Sequence, residues 1–448
     1  MRKPISLTIG GLLTVLAGSP FTVSDSQFAT NGESLVQSSD PSQSGDEGIY
    51  DPTPDHVWNR LYRSLYVRVS RDGRKYGYDE LDPLLWIETN HLLSGASYQQ
   101  AINLLDQFLS TQADRLVADP LKRAMLQRDL WAVFDWSTLH SYKPTPEKRE
   151  LQVRLARVIR RLALSKEQIE ALPNNYADAV AGKVFATQYN SRQPDNPFLP
   201  ADLFQPEGPW VALSAFGGGP VALTHVFNFS GRSVFLVFMR LPEGRQATLT
   251  YLKRLSGHPR LLPNPDLPQF PAGTELVLVR QMLLIDNQAN LRPTHLTESV
   301  QIRIHRATPK TIPEGINVHL DAARRLPLDV SEFKLSRAKL FAGIFGGLRP
   351  VTWDEKEFPL FQSAGFDLFE LSPEHGSIER HLRPVLNSCV ACHFMPGIHS
   401  VLSRQDRQLT VSWEQNYEAN RTVYWKYGRY DWRLLSGLWE LESKTEGR

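Results

Sequence analysis

Apolar residues along this chain recur first with a helical period and then with a strand period. Val57, Trp58, Leu61, Leu65 and Tyr66 fall at helical spacing. So do Leu104, Leu105, Phe108 and Leu109, and later Leu151, Leu155, Val158, Ile159 and Leu162. Each set puts its large side chains on one stripe, as in a helix that packs on a core. Asp119-Pro120 offers a cap and a first-turn proline for a helix running through Trp131 to Trp136. Ser165, followed by Glu167 and Gln168, starts another. Residues 55–195 therefore read as a helical domain, with Trp131, Phe134, Trp136 and Tyr142 expected in its core.

Near Pro194 the pattern changes. Stretches 210–215, 221–229, 233–241, 275–285 and 299–305 are short and β-rich, and Gly and Pro clusters separate them. Val300, Ile302 and Ile304 alternate with Gln301, Arg303 and His305, which predicts a strand with one polar face. Residues 205–307 read as an antiparallel β-sandwich or barrel. Gly217-Gly218-Gly219 lacks the Gly-Lys-Ser/Thr of a phosphate loop and reads as a hairpin turn. Residues 311–448 read as a mainly helical or irregular region. The expected fold is thus multidomain α+β.

The N-terminus is of a different kind. Met1-Arg2-Lys3-Pro4 is a basic start, and residues 5–17 are mostly apolar, the length of a signal-peptide core and too short for a membrane span. Residues 1–23 are assigned as a signal peptide. Contact with a membrane is expected only through this segment, if it stays uncleaved as an anchor. Residues 24–54, rich in Ser, Asp, Gln, Gly and Pro, read as a disordered linker. With 41% hydrophobic and 22% charged residues the remainder has ample material for folded cores. Fifty basic against 48 acidic residues leave a net charge of +2, which excludes nucleic acid as a partner, since that calls for a basic stripe.

The chain has two cysteines, and they stand in Cys389-Val390-Ala391-Cys392-His393. With two cysteines and 12 histidines in 448 residues, chance gives this arrangement roughly once in ten thousand. A structural zinc wants four Cys/His ligands, and no second cysteine pair exists. A thioredoxin-like pair wants a βαβ context, which is not apparent around residue 389. Two inert buried cysteines remain the plain alternative.

The motif resembles the haem-attachment signature of c-type cytochromes, and the resemblance covers these five residues. It implies one covalent haem c, with Cys389 and Cys392 bonded to the vinyl groups and His393 as proximal iron ligand. It also implies assembly outside the cytoplasm, so an extracytoplasmic, periplasmic location is expected, in keeping with the leader. The second axial ligand separates electron transfer from catalysis. No Met follows Met395, and no His follows His399. Met395 lies two residues past His393, a reach of about 7 Å, too short to pass the haem edge. His375 and His381 have slack tether, and His399 reaches about 20 Å fully extended. These three histidines are the candidate distal ligands. Arg380, Arg383, Arg404 and Arg407 are candidates to pair with haem propionates. The aromatic tail, with Trp413, Trp425, Trp432 and Trp439, suits either a haem-pocket wall or ordinary core.

The leading expectation is an exported monohaem cytochrome that passes electrons to a redox partner protein. A peroxidase-like haem oxidoreductase with an open sixth site is the alternative, and a binding or sensor protein with accessory haem is a third.

Overall fold

A computed structural model describes residues 48–69, 75–79, 81, 89–139, 144–258, 266–309, 326–357, 367, 369, 381–402, 409–411 and 417–446. All of them belong to one unit, Pro41–Arg448. The expected signal peptide lies outside the described residues.

The helical periods are realised. Helices α1 (Val57–Tyr66), α2 (Gly95–Ser110), α3 (Pro120–Ser137) and α4 (Pro146–Leu162) pack together. The Asp119 carboxylate accepts from the backbone N–H groups of Leu121 and Lys122, at 2.8 and 3.4 Å. Such a cap contributes about 1 kcal/mol. Ser165 and Gln168 form a capping box at the head of the short helix Lys166–Glu170. Trp131, Phe134 and Trp136 are buried as expected, and Tyr142 lies outside the described residues. Part of the expected linker is ordered: the fully buried Tyr50 donates its hydroxyl proton to Asp129, at 2.8 Å.

Seven strands form one antiparallel sheet. They are β1 (Val211–Ala215), β2 (Ser233–Arg240), β3 (Thr274–Ile285), β4 (Leu291–His305), β5 (Leu328–Leu335), β6 (Leu348–Pro350) and β7 (Leu409–Val411). Their order is β7-β1-β2-β3-β4-β5-β6. Among the described residues this is an open sheet, not a closed barrel or two packed sheets. Strands β5, β6 and β7 come from outside the stretch read as the β domain. The fold is mixed α+β.

Strand alternation sorts the two faces. Val277, Val279, Val300, Ile302, Ile304 and Phe333 join the core of the helical layer. Gln127 of α3 ties the layers, donating to the Ile285 carbonyl at 2.9 Å and accepting from the Ile285 N–H at 3.1 Å. On the other face, Val211, Leu213, Met239 and Leu276 form a second core with Leu252 and Leu255 of a helix, Arg245–Ser256, and with Ile398 and Leu402 of the tail. This second face carries the cysteine motif.

One expected strand is wrong. Residues 221–229 contain a helix, α5 (Leu223–Asn228), inside the long loop that joins the antiparallel neighbours β1 and β2. Its composition is strand-like, but Val226 and Phe229 meet Phe235 of β2 in a small core, and burial decides the conformation. The glycines at 217–219 are accordingly not a hairpin turn. They form a loop whose Gly217 and Gly219 carbonyls accept from Arg421, and a helix follows.

Candidate functional site

Backbone bonds from Cys392 N (3.3 Å) and His393 N (3.1 Å) to the Cys389 carbonyl wind the motif into one helical turn, continued as α6 (Val390–His393). On a helix, residues three and four apart share a face. One turn therefore presents both sulfurs and the imidazole to the same side, which is what a single planar ligand requires. The preceding helix Val385–Ser388 anchors the turn through buried Val385 and Leu386, packed with Val351 and Trp353.

The imidazole is oriented from behind. His393 Nδ1 lies 2.5 Å from the carbonyl oxygen of Ser400. A carbonyl can only accept, so the proton sits on Nδ1 and Nε2 keeps its lone pair. Metal-binding histidines are commonly held in this way. Ser400 rides on α7 (Ile398–Val401), whose Ile398 is buried in the second core. Gly397 makes the turn into α7 with φ of 57°, and Gln269 Oε1 accepts from the Ile398 N–H at 2.9 Å.

The Cys389 sulfur faces the sheet. Cys389 Sγ donates to Gln301 Oε1 of β4 at 3.4 Å. Burial, reinforced by the Glu332 carboxylate, pushes the Cys389 thiol up to about 11. A redox-active cysteine needs the opposite shift. Burial likewise raises the Glu332 carboxyl, to about 7. Among the described residues no group of three or more His, Cys, Asp or Glu is arranged to hold a lone metal ion.

A second imidazole faces the first. His225 of α5 and His393 have ring centres 6.2 Å apart and ring planes inclined by 15°. His225 packs on Phe235, 5.3 Å between centres. Burial, with the Arg303 and Arg280 charges, holds its pKa down to about 4, so the ring is neutral near pH 7. Sequence reasoning did not single out His225 from the other histidines of the β-rich stretch, because the residue stood alone in a run read as a strand.

Of the expected distal ligands, His375 lies outside the described residues. His381 is half-buried beside the short strand Arg383–Pro384, and His399 is half-buried on α7. Arg383 donates to the Leu382 carbonyl at 2.9 Å, while Arg380, Arg404 and Arg407 lie outside the described residues. Met395 is exposed. The tail aromatics divide between two places. Trp432 and Trp439 belong to the helical core, with Trp432 edge-on to Trp131 and Trp439 Nε1 donating to the Ala156 carbonyl at 2.7 Å. Trp425 packs beside Phe227 of α5, and Trp413 lies outside the described residues.

Comparison with protein-family models, curated proteins and solved structures yields no match to this chain. Its function is therefore argued from its own residues.

Proposed function

We propose that this chain is an exported, c-type cytochrome-like protein that carries one haem c and passes electrons to and from a redox partner protein. Cys389 and Cys392 would hold the group covalently, and His393 would offer its Nε2 to the iron. Each S–H adds across a vinyl C=C: sulfur bonds to one carbon, the thiol proton goes to the other, and no oxidant is consumed. When bound, haem supplies a reversible one-electron store. The chain supplies the remainder. It aligns both sulfurs and the imidazole on one helical face, fixes the imidazole tautomer through Ser400, and seats the following α7 in the second core through Ile398.

The observation that carries the reading is the joining of the only two cysteines to a histidine whose Nδ1 is committed to a carbonyl. The high thiol pKa of Cys389 argues against dithiol redox chemistry. Among the described residues no helix is long and apolar enough to cross a membrane. Export rests on the basic, then apolar, leader.

The test is expression of the full chain with a haem-ligation system, followed by a pyridine haemochrome spectrum of the denatured protein. Two thioethers are expected in the wild type, and one each in Cys389→Ala and Cys392→Ala. Haem that extracts fully into acidic acetone would defeat the proposal.

A further inference from the structure

We infer that His225, from the loop between β1 and β2, is the second axial ligand of the iron held by His393. The inference rests on the covalent-haem reading above and assigns the opposite face of the same site. A ligating imidazole nitrogen sits about 2 Å from a first-row metal, and its ring centre about 1 Å further out, so two imidazoles across one iron have centres about 6 Å apart. His225 and His393 have 6.2 Å. Their planes lie within 15° of parallel.

The placement is built into the fold. His393 reaches the second face of the sheet on the cysteine turn, which touches β4 through Gln301. His225 reaches the same face on α5, whose Val226 anchors against Phe229 and Phe235. Two segments far apart in sequence are thus fixed on one sheet, so their spacing is set before any ligand arrives.

The consequence is functional. Two imidazoles fill both axial positions, so nothing needs to enter or leave when the iron changes oxidation state. That favours electron transfer over peroxide or gas chemistry, which needs an open position.

The experiment uses the full chain loaded with haem. Visible and near-infrared spectra are recorded for the wild type, His225→Ala and His225→Met, with His381→Ala and His399→Ala as controls. The wild type and both controls are expected to be low-spin. His225→Ala is expected to turn high-spin and to regain the low-spin spectrum on addition of imidazole. His225→Met is expected to gain a methionine-to-iron charge-transfer band, and it carries the test if the alanine variant does not accumulate. A high-spin wild type overturns the assignment, as does a His225→Ala spectrum that stays low-spin or a His225→Met spectrum without the band. Pyridine haemochrome on each sample separates the two claims. Covalent haem with unaltered ligation in the variants sinks His225 alone, whereas absence of covalent haem in the wild type sinks both.

Discussion

Replacing Lys426 by Met tests how the C-terminal tail secures the face of the fold that carries His225. Lys426 lies on the helix Tyr417–Tyr427, fully buried, with Nζ 2.8 Å from Asp135 and 3.1 Å from Asp431. Arg232 reaches the same Asp135 oxygen at 2.8 Å. Arg429 Nε lies 4.0 Å from Asp431, so three cations serve the two carboxylates. The neighbouring Trp425 closes on Gly231, where a Cβ would come within 2.8 Å of its ring, so this helix also clamps the loop that follows α5. Methionine keeps most of the aliphatic stem and deletes the charge. One ion pair at 2.8 Å is worth about 6 kcal/mol of Coulomb attraction at an effective dielectric constant near 20. Relief from burying the ammonium returns part of that, and breaking a buried pair from one side typically costs about 3–5 kcal/mol. Arg232 still serves Asp135, so the expected loss is about 3 kcal/mol, at the lower end of that range. The double variant Lys426→Met, Asp431→Asn removes the carboxylate left with only the 4.0 Å contact to Arg429 and should recover about half of it. The assay is urea unfolding at neutral pH, read as a shift in midpoint at constant slope. Repeating it in 1 M salt should change the difference little, because buried pairs are weakly screened. A loss below about 1 kcal/mol, or a double variant no better than the single, would refute the reasoning.

Two further outcomes follow from named residues. Burial and the Arg303 charge lower the His305 pKa to about 3. The unfolded chain therefore takes up that proton more readily, and the stability present above the unfolded value of about 6.5 is lost as pH falls toward 3. Between about pH 7 and pH 4.5 the wild type should lose about 2–3 kcal/mol more than His305→Phe, and equal slopes in urea titrations would count against this. Gly397→Ala forces a residue with a Cβ to a φ of 57° and places that Cβ 2.0 Å from Gln269 Oε1. It should cost about 1–3 kcal/mol and displace the Ser400 carbonyl from His393, read as a lower melting temperature together with an altered haem spectrum. An unchanged melting temperature would show that the turn is not strained by a side chain.

Much of the helical layer was legible because its signals are local. The Asp119-Pro120 start, the Ser165 capping box and the 3.6-residue stripes of α1 and α4 need no tertiary information. The long strands β3 and β4 were legible through their β-branched runs. Stretch 221–229 was not, because a short apolar run is strand-like or helix-like by composition alone, and packing on Phe235 selects the helix. Strands β6 and β7, three residues each, carry too little pattern to be seen, and the eight-residue β5 fell in a stretch read as helical or irregular, so the sheet was taken to end near residue 307. The cysteine turn was legible from five residues. Its partner His225 was not, since only the sheet brings α5 to the tail.

The central claim is covalent haem on Cys389 and Cys392, and the intact mass of the denatured, purified protein tests it most directly. After expression with a haem-ligation system, the expected mass equals the polypeptide plus one haem, and the added mass is lost when both cysteines are replaced by alanine. A wild-type mass equal to the bare polypeptide under those conditions would contradict it.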